Sequence, residues 1–384
     1  MRRFLEKSFA FLASYALAIT VLSFLLILTV VGTVEQTRTS LYEVQRRYFE
    51  SAFVIHWAGG IPIPLPGVYL LLVVLAVNLV CGGIVRIRKS RSTIGIIVGH
   101  AGILFLLSGS LIEFNWSQKG HTTLAEGTET AEFQSYFEWE IGIAEARSSG
   151  RVEEYVIPGG EFMDLGDGEK ARFASPEIPF QLVINRVYAN CEPRPARTSG
   201  GGSVDGVALE EMPPNKEAEA DTAGAYVTVV PNSGGVRVEG LLWGMERYPM
   251  SVVVDGRRWT IGLSHRRWQL PFSIRLEDFR QQMHPGTGMA KAFESDVTKT
   301  RDGVRQKVKI SMNEPLRESG YTLYQSSFIR PSQGGGRWWS TFSVVKNPAD
   351  RVPLWACIVI TAGLLMHFTQ QLIRHVRSQT ERRA

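Results

Sequence analysis

Apolar residues in this 384-residue chain are gathered in blocks near its two ends, while the middle alternates apolar and polar positions. A bilayer core about 30 Å thick is crossed by roughly 20 residues of helix at about 1.5 Å per residue. Four segments reach that length: about Phe9 to Val34, Pro66 to Val85, Thr93 to Phe114 and Val352 to Ile373. The first exceeds the apolar core of a secretory signal and lacks a small-x-small cleavage site, so it reads as a retained anchor. Between the third and fourth segments the period shortens to two. Trp139–Ile143, Phe180–Val187, Ala225–Val230, Ser251–Val254, Trp259–Leu263, Val308–Met312 and Thr341–Val345 predict strands. Pro158-Gly159-Gly160, Asp167-Gly168, Asp255-Gly256 and Asp302-Gly303 predict the turns between them.

The pattern predicts a polytopic α-helical membrane protein with four transmembrane helices and a large extracytoplasmic β-rich domain inserted between helices three and four. Residues 1–116 hold three helices with short loops, 117–349 the β-rich domain, and 350–384 the fourth helix and a basic tail. From Pro193 to Gly224 the chain is rich in Gly, Pro, Glu and Ala. Such a stretch buries too little surface to offset its ordering entropy, so it is expected to be a mobile excursion.

Charge settles the orientation. Arg2, Arg3 and Lys7 precede the first span; Arg86, Arg88, Lys89 and Arg91 lie between the second and third; Arg374, Arg377, Arg382 and Arg383 follow the fourth. All three clusters fall on one side of an even-numbered bundle, which predicts cytoplasmic termini and an outward-facing β domain. The implied location is the bacterial cytoplasmic (inner) membrane. Trp57, Tyr69, Trp116 and Trp355 stand where interfacial anchors belong. The net charge of +5 therefore has a topological cause, and nucleic-acid binding is not needed to explain it.

The three cysteines, Cys81, Cys191 and Cys357, show no CxxC or zinc spacing, and Cys191 reads as an unpaired loop thiol. His121, His265 and His284 are scattered without metal-ligand spacing, and no nucleophile elbow or phosphate loop is present. The chain is not expected to be catalytic alone. Polar residues inside the spans carry more information, because desolvating them is costly. Asn78 reads as interhelical hydrogen-bonding glue. His100 lies about seven positions into the third span and His367 about seven before Arg374 in the antiparallel fourth. Both rings are thus expected roughly 10 Å from the cytoplasmic boundary. Gly95, Gly99, Gly102 and Gly109 form a stripe suited to close helix packing, and at about 100° per residue His100 points well away from it. Gly363, one turn before His367, is expected to leave open space. Either histidine could hydrogen-bond a neighbouring helix; imidazole is also the usual axial ligand of haem iron, and a planar apolar macrocycle suits such a pocket.

Several stretches, taken in order, resemble one family. They are Gly67–Leu72 with Asn78–Arg86, Gly99–Gly109, Pro271–Phe279, Pro285–Gly288, Phe293–Asp296, Ile310–Leu316 and Gly320–Ser327. With the order of the spans, the chain resembles the ResB-like family of cytochrome c biogenesis proteins, membrane partners of the CcsA-type (ResC-type) haem-handling protein. It departs from the family's pattern after the first span, where Gly32-Thr33-Val34-Glu35-Gln36 is a shortened form. The resemblance implies a subunit of a cytochrome c maturation complex. With its CcsA-type partner, the chain would relay haem b as transient cargo for thioether attachment to an apocytochrome c. It also implies that His100 helps to hold haem; it assigns no role to His367. The second iron ligand would be His367 or a histidine of the partner. Trp338 and Trp339 do not match the partner's tryptophan-rich segment and read as packing or surface aromatics. The competing expectation is a membrane-anchored binding or sensory protein whose outer domain recognises a ligand.

Overall fold

A computed structural model describes residues 1–146, 153–166, 168–196, 203–286, 290–333 and 335–383. Of the sequence expectations, the turn residue Asp167, Thr287 and Gly288 of the Pro285–Gly288 stretch, and positions 197–202 of the excursion lie outside the described residues. The chain divides into two compact units, Met1–Ser117 with Asn347–Ala384, and Gln118–Lys346.

The first unit is helical: α1 (Arg2–Leu12), α2 (Tyr15–Glu35), the single turn α3 (Leu41–Val44), α4 (Val68–Asn78), α5 (Ile94–Trp116) and α6 (Val352–Arg383). A π-helical turn, Leu79–Val85, prolongs α4. Among the described residues four helices are long and apolar enough to cross a membrane: α2, α4 with its π turn, α5 and α6. Large apolar side chains such as Ile19, Leu26, Val73 and Leu365 are exposed on them, as suits helices solvated by lipid.

The first expected span is corrected by a break. The helix stops at Leu12 and restarts at Tyr15, where Ser14 Oγ accepts the Leu17 N–H at 3.2 Å as an N-cap. The freed carbonyls are taken up by the second span. Asn78 Nδ2 donates to Leu12 O (2.6 Å) and Ser14 O (3.0 Å), and Arg86 Nη1 donates to Ala13 O (3.0 Å). Irregular backbone in an apolar solvent persists only where protein groups satisfy it. Asn78 is thus the interhelical glue its position suggested. At the other end α6 runs ten residues past Ile373, because nothing in the basic tail breaks a helix.

A hairpin not expected from the sequence joins α3 to α4: Phe53–Ala58 pairs antiparallel with Ile61–Pro66 around Gly59 and Gly60, both at positive φ. Tyr48 and His56 hold its base through an Oη···Nδ1 contact of 2.7 Å.

The predicted glycine stripe meets α6. A Cβ on Gly95 would come within 2.6 Å of the His367 backbone N, and one on Gly363 within 2.5 Å of Gly99 N. Gly102 packs against Ile360 and Gly109 against Val352. Only glycine permits this approach of two backbones. The open space expected beside Gly363 is therefore filled by the α5 backbone.

The β-rich unit is organised by two long strands, Glu129–Glu145 and Arg257–Met283, paired antiparallel at the centre of a ten-stranded sheet. Their halves serve two cores. Trp139, Ile141, Ile143, Trp259, Ile261 and Leu263 face a four-stranded sheet carrying Phe180, Leu182, Ile184 and Val227. Phe133, Leu270, Phe272, Ile274 and Leu276 enclose a second core with Val297, Ile310, Leu323, Phe342 and Val344. The inward parity switches from odd to even along Arg257–Met283. The switch occurs at an irregularity where the register jumps from Trp139↔His265 to Gln134↔Arg267. Ser135–Glu138 bulges there, with Ser135 Oγ accepting from the Phe137 and Glu138 N–H groups. Asp255-Gly256 and Asp302-Gly303 form the predicted hairpin turns, all four at positive φ.

The expected excursion contains regular structure. Cys191–Pro195 pairs with Val207–Glu211, and Leu209 packs with Cys191 and Tyr226, whose hydroxyl accepts the Leu209 N–H at 2.7 Å. Cys191 is accordingly a buried strand residue and not a loop thiol. Burial pushes its thiol up to about 11, so it is an inert, protonated packing group at neutral pH.

Candidate functional site

His100 sits nearly two helical turns in from the N-terminus of α5, next to the π turn that ends α4. The last carbonyls of a helix have no intrahelical partner, and here the final three find side chains. Lys89 Nζ donates to Ile84 O (2.8 Å) and Val85 O (2.7 Å). The Gly83 carbonyl is met by His100 Nδ1 at 3.0 Å. A carbonyl only accepts, so Nδ1 carries a proton, and in the neutral imidazole this leaves the lone pair on Nε2. No hydrogen bond to that nitrogen occurs among the described residues. A neutral imidazole with one nitrogen tied to a backbone carbonyl and the other free has the donor arrangement of a metal-ligating histidine.

His367 is differently placed. Its backbone lies against Gly95, its Nε2 is 3.0 Å from Gln371 Nε2, and its Nδ1 is buried without a partner. Among the described residues no hydrogen bond or ring contact joins His100 to His367; each addresses a different helix.

Sequence reasoning placed His100 off the glycine stripe correctly, yet it missed Gly83 as the residue it meets. The adjacent pair Gly82-Gly83 near a helix end was the available signal. A Cβ at Gly82 would come within 3.0 Å of Ala13 O, and one at Gly83 within 2.5 Å of His100 Nδ1.

The β-rich unit offers two other clusters. Trp139 stacks on His265 beside the bulge, with centroids 3.9 Å apart, and Tyr136 stacks on His121 within it, at 4.8 Å. The Nδ1 atoms of both histidines are buried without partners. Burial lowers the His121 imidazole, and burial with the neighbouring charge of His121 pushes His265 down to about 4, against a backbone hydrogen bond at Glu138 that opposes the shift. Among the described residues no group of three or more His, Cys, Asp or Glu could hold a metal ion. A cleft of about 360 Å³ is lined by Glu132, Glu140, Glu154, Arg266, Arg267 and Trp268. Its charges are spent on one another: Arg267 bridges Glu140 at 2.8 Å and Glu154 at 2.7 Å. Trp338 packs at a tilt against Phe279 and Phe328, which accounts for it as packing.

His265 makes the stability of this unit pH-dependent. With a folded-state value near 4 and an ordinary one near 6.5, the unfolded chain binds more protons between those limits. Stability is full above about pH 6.5 and falls as pH drops towards 4. After discounting for the part of the ring that reaches solvent, the loss is about 2 kcal/mol. Near-ultraviolet circular dichroism melts in detergent should show it, and His265→Phe should flatten the profile. An unchanged slope in that variant would assign the acid sensitivity to other groups.

Comparison with protein families bears on the β-rich unit. Residues 240–335 match the model of the ResB-like family. This part of the chain is similar to that family. The match runs from the strand Val238–Trp243 through Tyr321–Ile329 and takes in the whole of Arg257–Met283, the strand shared by both cores. The likeness seen in Pro271–Phe279, Phe293–Asp296, Ile310–Leu316 and Gly320–Ser327 lies within it. No curated protein matches the chain. The ResB-like match suggests a role in cytochrome c biogenesis; His100 and His367 lie outside the matched residues.

Proposed function

We propose that this chain is a subunit of a membrane cytochrome c maturation complex and that, with a CcsA-type partner, it binds haem and relays it across the membrane. The observation that carries the reading is the ResB-like match over residues 240–335 in a chain with four membrane-length helices. His100 supplies the chemistry: a neutral imidazole, oriented through Nδ1, whose Nε2 can ligate iron.

The basic clusters around Arg3, Arg88 and Arg377 support a topology in which His100 lies near the cytoplasmic side, where newly made haem enters. Haem b is cargo on this reading. His100 provides one axial ligand and a histidine of the partner the other, since the His367 Nε2 is engaged with Gln371. The β-rich unit stands on the outer face, where the CxxCH thiols of an apocytochrome c add to the haem vinyl groups.

Affinity purification of the full chain, co-expressed with a CcsA-type protein and solubilised in detergent, tests this. The expected result is co-purification of the two with a Soret band that shifts on reduction. A stable pair with no haem, or no pair at all, would count against the proposal.

A further inference from the structure

We infer that Gly83 is a positioning residue for haem ligation, and that the π-helical turn Leu79–Val85 exists to present its carbonyl to His100. The inference rests on the proposed reading of His100 as a haem ligand and goes beyond it, naming what fixes that ligand's tautomer and direction.

Three observations converge. First, the backbone departs from the α-helix over Leu79–Val85, with the Arg86 N–H bonding back five residues to Cys81 O at 2.9 Å. Turns of this kind recur at functional sites because they re-aim carbonyls. Second, Lys89 takes Ile84 O and Val85 O but not Gly83 O, which is met by His100 Nδ1 at 3.0 Å. Third, a side chain at position 83 would place its Cβ 2.5 Å from that same Nδ1. Glycine is therefore required for the ring to reach the carbonyl.

The consequence is specific. The Nδ1–H donated to Gly83 O forces the lone pair onto Nε2, on the far side of the ring. The hydrogen bond also makes the imidazole a stronger donor to iron, which favours the ferric state. A methyl at position 83 displaces the ring and removes both effects.

The test compares four full-length chains, each co-purified with the CcsA-type partner: native, Gly83→Ala, His100→Gly, and the double variant. Loss of such a supporting contact typically costs about 10–100-fold in metal affinity. Gly83→Ala should therefore lose haem by about tenfold, and the haem that remains should have a raised midpoint potential and altered low-spin electron paramagnetic resonance. His100→Gly should lose haem and regain it when imidazole is added. The double variant should regain it equally, because the added ring no longer depends on position 83. Native haem content and spectra in Gly83→Ala would overturn the inference. So would failure of imidazole to rescue the double variant when it rescues His100→Gly, since Gly83 would then act on the fold and not through the ring. Full haem content in His100→Gly without imidazole would instead remove the ligand assignment itself.

Discussion

Chains carrying His100→Ala should insert into the membrane and bind their partner normally, yet lose haem by at least about tenfold and leave cytochrome c unmatured. The imidazole has two separable roles in the structure. It caps the Gly83 carbonyl through Nδ1, and its Nε2 has no hydrogen-bond partner among the described residues. His100→Gln separates them, because an amide N–H can still donate to Gly83 O but brings no imidazole nitrogen to iron. We expect His100→Gln to be as empty of haem as His100→Ala. Normal haem in His100→Gln would make the histidine a helix cap and nothing more. His367→Ala should have little effect, as its Nε2 is engaged with Gln371 of its own helix. A loss as large as that of His100→Ala would instead support an internal pair of ligands.

Gly363→Leu should disrupt the helical unit. Without a hydrophobic driving force between helices in lipid, α5 and α6 associate through close packing of small residues. A Cβ at Gly363 would lie 2.5 Å from Gly99 N and 2.8 Å from Gly95 O, both backbone atoms that no rotamer change can move. Overpacking of side chains costs about 1–3 kcal/mol, and a clash with backbone exceeds that range. The expected outcome is degradation in the membrane or loss of the partner complex, seen as a low yield of full-length protein. Gly99→Ala provides the control, since a Cβ there meets nothing within 4 Å. Equal tolerance of both substitutions would show that the helices do not pack through this stripe.

The four spans were legible because a bilayer imposes one dominant requirement, a long run of apolar residues, and composition alone reports it. The break at Ala13–Ser14 was not legible from hydropathy. Its partners, Asn78 and Arg86, lie more than sixty residues away, and only the capping hydroxyl of Ser14 marks it locally. In the β-rich unit the short runs were found, but Trp259–Leu263 is one end of a 27-residue strand. Its inward parity reverses at the bulge near His265, which destroys the period of two across the join. Cys191 was misread because Pro193 and Pro195 resemble loop residues, although the hairpin buries the thiol against Tyr226 and Leu209. At the candidate site, helical geometry sufficed to point His100 away from the glycine stripe. The acceptor waiting there lies on a π turn in another helix, marked in the sequence only by the pair Gly82-Gly83.

The central claim is that this chain takes part in attaching haem to c-type cytochromes. Haem staining of denaturing gels, from cells in which the chain is deleted and then restored, tests it most directly. The account predicts that covalently bound haem disappears from c-type cytochromes on deletion, while the b-type haem spectrum of the membranes persists, and that the native chain restores it and His100→Ala does not. Unchanged c-type haem bands in the deleted cells would contradict it.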